Sequence, residues 1–231
     1  MYQATDTSLW VLIPSYNEAE VIRATVEDVL RHGYEVVLID DGSTDNTRES
    51  LSGLPITYLR HKTNLGQGAA LESGMAYARK HRPEIIVHFD ADGQHAASDI
   101  KALIQPILQA EADVVQGSRF LSPPSSKNIP FPRILLLKLA VVFHGLLTGI
   151  WLSDAHIGLR ALHYRAYKDI HFSLNGMGHA TEFLMEVKKH RLKISEVPVN
   201  VAYTPYSRKK GKGIRSILNI LWEVLFKRGL S

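Results

Sequence analysis

Asp90 and Asp92 stand two residues apart at the end of a short apolar run that begins at Ile85. Two carboxylates so placed repel each other unless something positive lies between them. A divalent cation held partly by protein oxygens and partly by a substrate diphosphate is the usual answer for Mg2+ or Mn2+. Gln94 can add a further oxygen, although the same triplet also reads as a helix start with solvated acids. Asp40 and Asp41 close a second apolar run. They can accept hydrogen bonds from the base and ribose of a nucleotide, or belong to a turn in which Gly42 and Ser43 shape the backbone and Asp45 caps the next helix. Asn64-Leu65-Gly66-Gln67-Gly68 is spaced like a loop that lets the backbone approach a phosphate. A helix cap or a plain turn has the same spacing.

What must position these groups is a set of short, β-branched runs bounded by turn residues: Leu9–Pro14, Val36–Asp40, Ile56–Leu59, Ile85–Asp90 and Asp113–Gly117. Helical stretches fall between them at Ala19–Arg31, Asp45–Leu51, Gly68–His81 and Ser98–Glu111, with Asp45 and Ser98 as N-caps and Gly33 and Gly53 as stops. Alternation of this kind predicts an α/β fold with a mostly parallel central sheet flanked by helices on both faces. Ligands of such sheets bind at the carboxyl ends of the strands. Pro14-Ser15-Tyr16-Asn17-Glu18, Asp40-Asp41, Asn64–Gly68, Asp90–His95 and Gly117-Ser118-Arg119 all follow strands, so carboxylates, amides and glycines converge on one edge. The second half is less regular. Pro123, Pro124, Pro130 and Pro132 mark a loop, and the apolar run Ile134–Leu152 follows, with bends expected at Gly145 and Gly149. Then come Asp154–Leu162 ending in a strand, a helix near Ala180–His190 and a strand near Ile194–Val201.

Composition removes several classes. With 231 residues, 45% hydrophobic and 22% charged, the chain can bury a real core. It has no cysteine, so thiolate metal sites and cysteine nucleophiles are excluded. No secretory signal is visible at Met1–Ser8, which points to the cytoplasm. The net charge of +4 is unevenly spread: residues 205–231 hold seven basic side chains against Glu223 alone. Ile214, Ile217, Leu218, Leu221, Trp222 and Leu225 recur there at helical spacing. A basic amphipathic helix of this kind suits an anionic membrane surface, and equally a partner helix or the domain itself. Nucleic acid is disfavoured as the partner, because the cluster lacks interleaved aromatics and the rest of the chain is net acidic. Lys138 makes a membrane-spanning role for Ile134–Leu152 costly. That run is expected to pack partly on the core and partly on lipid, with Lys138 near the head groups. Asp90 and Asp92 share one loop rather than flanking a cleft, unlike a glycosidase pair.

Taken together, Leu12–Glu18, Val37–Asp45, Asn64-Leu65-Gly66 and Phe89–Gln94 resemble family 2 glycosyltransferases, closely from Leu9 to Phe120 and more loosely to about Tyr206. The resemblance implies a GT-A fold, a Rossmann-like sheet, with residues 1–120 as the nucleotide-sugar-binding half and 121–204 as the acceptor half of one domain. The basic tail, 205–231, would follow. Pro14, Tyr16 and Glu18 would form the first nucleotide-contacting loop, Asp40 and Asp41 would meet base and ribose, and Asn64 and Gly66 would lie along the donor. Asp90, Asp92 and Gln94 would hold Mg2+ or Mn2+, which acts as a Lewis acid on the departing nucleoside diphosphate. Such enzymes invert the anomeric centre by direct displacement.

Gly117-Ser118-Arg119-Phe120, the Pro-rich loop ending in Arg133, Asp154–Arg160 and Glu196-Val197-Pro198-Val199 look most like the branch that glycosylates dolichyl or polyprenyl phosphate. A phosphate monoester is already an anion at neutral pH, so it needs no strong base. It does need cations, and Arg119, Arg133 and Arg208 are the candidates, with forks that grip phosphate oxygens. The protein would then sit peripherally at the cytoplasmic face of a membrane. Two departures stand out: His156-Ile157-Gly158-Leu159-Arg160 where the branch often has Ser-Gly-Phe-Arg, and Tyr206–Gly213 without the common Ser-Lys ending. Related enzymes that act on a saccharide need a carboxylate base, and Asp154 or Glu182 would serve.

Overall fold

The computed structural model describes residues 8–122, 131–154, 157–176, 178–202 and 206. Seven strands form one sheet: β1 (Leu9–Ser15), β2 (Glu35–Asp40), β3 (Thr57–Arg60), β4 (Ile85–His88), β5 (Val114–Ser118), β6 (Arg160–His163) and β7 (Ile194–Pro198). Their spatial order is β3-β2-β1-β4-β6-β5-β7. All pairs are parallel except those of β6, which runs against both β4 and β5. That reversal brings the start of β6 to the same edge as the ends of β4 and β5, with Arg160 in register with His88 and with Gln116.

Alternate residues of each strand feed different faces, as a pleat requires. Val11 and Ile13 join Val36, Leu38 and Val87 in a core under α1 (Ile22–Arg31) and α4 (Ile100–Leu108). Leu12, Val37, Ile39 and Ile86 pack on the opposite face with residues of α3 (Gln67–His81) and of two further helices, α6 (Tyr164–Tyr167) and α7 (His179–Lys189). Each fully buried Val, Leu or Ile contributes about 2 kcal/mol of transfer free energy, which is why these runs cannot be exposed. The remaining helices are α2 (Thr47–Ser50) and α5 (Phe131–Thr148).

Several boundaries differ from the sequence expectation. α1 begins at Ile22 rather than Ala19, because the Val21 and Ile22 amides first close a turn on the Glu18 carbonyl. Ser98 is not a cap; it lies inside a 3-10 turn, Ala97–Asp99, and no side chain caps that turn or α4. Asp45 is not the cap of α2 either: Asn46 holds that position without a side-chain capping bond, and Asp45, one residue earlier, accepts from the Thr47 amide at 3.0 Å. β4 and β7 stop short of Asp90 and Val201. α5 starts early enough to include Pro132, where the first turn has no use for the missing N–H. It runs unbroken through Gly145, whose Cα faces the Trp151 ring, and ends at Thr148.

The inner side of α5 is polar and held: His144 Nε2 lies 2.8 Å from the Thr181 hydroxyl on α7, and Thr148 donates to the His144 carbonyl at 2.7 Å. Its outer side carries Leu135, Leu139, Val142 and Leu146 at helical spacing, with Leu146 76% and Leu139 58% exposed and Trp151 beyond them at 62%. Lys138 turns toward the protein instead of toward head groups. Its ammonium sits 4.0 Å over the Phe120 ring and donates to the Ser153 carbonyl at 3.3 Å. No described helix is long and apolar enough to cross a membrane. The amphipathic tail and Arg208 lie outside the described residues, as do His156 and the Pro-rich loop at 123–130.

Candidate functional site

Parallel β1, β2, β4 and β5 end on one edge, so the motifs that follow them meet there. β1 leads into Tyr16, which is 41% exposed, and into Asn17, whose φ of 53° an asparagine tolerates. The loop is fixed by backbone donors: the Asn17 amide to the Ser43 hydroxyl (2.9 Å), the Glu18 amide to the Thr47 hydroxyl (3.0 Å) and the Thr44 amide to the Asn17 side chain (2.8 Å). Tyr206 donates its hydroxyl to Glu18 Oε2 at 2.6 Å, so the end of the described chain reaches this loop. Pro14, the last residue but one of β1, is partly buried beside it.

The acids after β2 are consumed by the protein itself. Asp40 is wholly buried and accepts from the Tyr58 hydroxyl (2.5 Å) and the Ser43 amide (2.8 Å), with Arg60 3.5 Å away. Burial, then the bond to Asp40, pushes the Tyr58 hydroxyl well above its ordinary pKa, so it remains a donor. Asp41 accepts from the Leu65 amide (2.9 Å) and the Gly66 amide (2.7 Å), and its Oδ1 lies 2.7 Å from His61 Nδ1. The 64–66 loop is therefore shaped by Asp41, with Asn64 exposed at its tip. Gly66 has φ of 109°, and a Cβ there would stand 2.3 Å from the Asn175 carbonyl oxygen; the Gly68 amide donates to that same oxygen at 2.8 Å. The glycines thus serve α3's start and a close crossing by the 174–176 segment. The amides of Leu65, Gly66 and Gly68 are engaged internally, which corrects the phosphate-cradle expectation.

Asp90 and Asp92 differ. Asp90 keeps 27% of its side-chain surface open and lines a cavity of about 90 Å3 with Gln94, His95, Arg119, Ile157, Gly158 and Val201. Three neighbours fix it: Gln67 donates to Oδ1 at 3.1 Å, His95 Nε2 lies 3.3 Å from Oδ2, and Gly158 presses against the carboxylate. A Cβ at residue 158 would lie 2.1 Å from Oδ2, so no other residue fits without moving the acid. Burial opposes the charge on Asp90, but the His95 hydrogen bond and the charges of His95, Arg160 and His179 outweigh it and hold the carboxyl below its ordinary pKa. Asp92 goes the other way, pushed up first by burial and then by the charge of Asp90. It accepts from the Gln94 amide at 3.1 Å and from the Gln94 side chain. That last bond leaves the amide oxygen of Gln94, not its nitrogen, as the atom available to a cation.

The donor set suits a hard cation poorly satisfied by protein alone. Two carboxylates whose charges oppose each other favour a positive ion, yet among the described residues no group of three His, Asp or Glu side chains is arranged to hold one. Mg2+ and Mn2+ take a few carboxylate oxygens and complete their shell with water and phosphate, so the residues fit that pattern.

Arg119 lines the same cavity and is 5% exposed. Its Nε donates to Asp154 Oδ2 at 2.6 Å, and its amide reaches the same oxygen at 3.3 Å. Asp154 has no exposed surface, so it orients Arg119 and is not placed to take a proton from an incoming hydroxyl. Glu182, the other candidate base, is also buried; it accepts from the Ser173 amide, the Ser173 hydroxyl and the Leu174 amide. Both expectations of a base are corrected by these internal bonds. Arg133 lies in the first turn of α5.

Sequence reasoning missed four contributors: Gln67, His95, Gly158 and Arg160. Arg160 is buried, stacks 4.4 Å over the Phe183 ring and is pushed down to about 10 by burial. His95 directly follows the Asp90–Gln94 motif and Gly158 lies in a noted one, which is the signal that was available. A larger open cavity, about 230 Å3 near Asp113 and His163, lies at the opposite end of β5 and touches none of these motifs.

Similarity to known proteins places the chain in a family and gives its fold. The sequence profile described as Glycosyl transferase family 2 matches residues 10–170. UDP-N-acetylglucosamine–dolichyl-phosphate N-acetylglucosaminyltransferase of Methanococcus voltae is 33% identical, over 95% of this chain and 96% of its own. Polyprenol monophosphomannose synthase of Mycolicibacterium smegmatis is 28% identical, over 90% and 83%. Among solved structures, glucosyl-3-phosphoglycerate synthase of Mycobacterium tuberculosis superposes with a TM-score of 0.69 at 18% identity, covering 98% of this chain and 82% of that one. A form of it with Mn2+ and UDP-glucose gives 0.66 at 18% identity, covering 94% and 79%. The shared architecture is the GT-A fold that the sequence motifs implied.

Proposed function

The chain belongs to glycosyl transferase family 2, and from that premise we propose that it moves a hexose from a nucleotide sugar to a polyprenyl or dolichyl phosphate, with inversion, at the cytoplasmic face of a membrane. The donor is of the GDP-mannose or UDP-hexose type. Pro14, Tyr16 and Glu18 line its nucleoside side, and Asp40 and Asp41 contribute by holding the adjoining loops. Asp90 and Asp92, with the Gln94 oxygen, hold Mg2+ or Mn2+, which when bound neutralises charge on the departing diphosphate. Arg119, Arg133 and Arg208 meet phosphate oxygens, Arg119 from a fixed position against Asp154.

The acceptor phosphate oxygen forms a bond to the anomeric carbon as the bond from that carbon to the nucleoside diphosphate breaks. The nucleophile enters opposite the leaving group, hence the inversion. No proton has to be removed from the acceptor, because a phosphate monoester is ionised at neutral pH. One observation carries the preference for phosphate over a saccharide: both acids that might deprotonate a sugar hydroxyl, Asp154 and Glu182, are buried and bonded to the protein. The exposed apolar stripe of α5 supports work at a lipid surface, since so contiguous a stripe is uncommon on a protein that meets only water.

The test is transfer by purified protein with Mn2+ or Mg2+, labelled GDP-mannose, UDP-glucose or UDP-N-acetylglucosamine, and a short polyprenyl phosphate in detergent. A labelled product extracted into chloroform is the expected result. Donor hydrolysis with no lipid product for any donor would transfer the acceptor role to a saccharide.

A further inference from the structure

The Glu196-Val197-Pro198-Val199 motif on β7 has no part in the chemistry described so far, yet Glu196 makes more contacts to one short segment than any surface acid needs. Its Oε2 accepts from the Ser153 amide at 2.7 Å; its Oε1 accepts from the Ser153 hydroxyl at 2.9 Å and the Asp154 amide at 3.2 Å. Gln116, in register with Glu196 on neighbouring β5, donates its side-chain amide to the Asp154 carbonyl at 2.5 Å. The Gln116 oxygen accepts from Arg160 Nε at 3.1 Å, and since a guanidinium only donates, that bond fixes which end of the amide faces Asp154. Two adjacent side chains of the sheet thus grip the N–H and the C=O of Asp154, and its carboxylate is left aimed at Arg119.

We propose that Glu196 is a positioning residue for glycosyl transfer: by holding Ser153 and Asp154 it sets the Arg119 guanidinium against the cavity that Asp90 lines. The proposal rests on the reading that Arg119 meets a phosphate. Glu196 touches no reacting group. Its effect passes through one ion pair, and a guanidinium displaced by even an ångström from a developing charge loses much of its value.

The experiment is steady-state transfer from the donor that the wild-type protein accepts to a short polyprenyl phosphate, with thermal unfolding followed in parallel. The variants are Glu196→Gln, Ser153→Ala, Arg119→Lys, and each of the first two combined with Arg119→Lys. Gln keeps the size of Glu but turns an NH2 group on at least one of the three donors. Glu196→Gln should lower kcat/KM about 10- to 100-fold. Ser153→Ala, which removes the hydroxyl bond to Glu196 together with the Ser118–Ser153 hydroxyl contact, should cost a few-fold. Neither should lower it further in the Arg119→Lys background, because coupled residues fail to add. An equal proportional loss in both backgrounds means a general structural role and overturns the proposal, as does an unchanged rate for both single variants. Arg119→Lys at the wild-type rate overturns the phosphate reading of Arg119 itself, and the proposal with it.

Discussion

Asp40–Asp41 and Asp90–Asp92 each follow a buried strand, each place two carboxylates close together, and both lie on the same edge of the sheet. Around the first pair the protein supplies every partner: Tyr58, Ser43, Arg60, His61 and the amides of Leu65 and Gly66. Around the second, Gln67 and His95 hold Asp90 and Gln94 bonds Asp92, yet Asp90 stays partly open and faces a cavity that it shares with Arg119. The difference lies in the neighbouring loops. A loop whose amides point back at the strand satisfies its acids, whereas in Asp90-Ala91-Asp92 only Asp90 gains positive neighbours, and Asp92 is left opposed by burial and by the charge of Asp90. Acids that a fold leaves unbalanced next to a cavity are where a cation and an anionic substrate would belong.

The sharpest way to break the comparison is Asp92→Asn. It should lower transfer on the order of 1000-fold, the scale of removing a main electrostatic contact in the transition state, and leave the unfolding temperature within a few degrees of wild type. Initial rates and a thermal melt check both. Asp41→Asn should do the reverse. With donors at Leu65, Gly66 and His61 partly stranded, it should cost about 3 kcal/mol in urea unfolding, while the folded fraction still transfers. Gly158→Ala sharpens the picture of the second pair: displacing Asp90 should raise the metal concentration for half-maximal rate about tenfold, in line with a misplaced ligand. The Mn2+ dependence of the rate reads this directly.

The smallest effect concerns His88, which is buried beneath Asp90 with neither ring nitrogen bonded to a described partner. Burial first, and then the Arg160 charge, pushes it down from 6.5 to about 3. Between those values the unfolded chain takes a proton that the folded chain refuses, so the native state is favoured above pH 6.5 and loses ground as pH falls toward 3. His88→Leu should flatten the acid side of the stability–pH curve measured by urea unfolding. An unchanged slope would mean that the imidazole finds a partner in solution.

The first five strands were legible because each is a short apolar run, too short for a helix of ordinary length, closed by a polar turn. β6 was blurred, being antiparallel in a sheet where the alternation of elements implies parallel strands. The metal-side acids were legible as a spacing. What Asp154 and Glu182 do was not: an acid becomes a base or a clamp according to donors that only the folded chain brings up, Arg119 in one case and the Ser173–Leu174 backbone in the other. Gly158 has the same character, since the reason for a glycine there is the Asp90 carboxylate, from the loop after β4.

Division of labour between the two acid pairs is best tested by Mn2+ binding in the presence of UDP or GDP, followed by electron paramagnetic resonance for wild type, Asp92→Asn and Asp41→Asn. Nucleotide-dependent Mn2+ binding should be present in wild type, retained in folded Asp41→Asn and lost in Asp92→Asn. Binding that survives in Asp92→Asn and disappears in folded Asp41→Asn would contradict the assignment and move the cation to the end of β2.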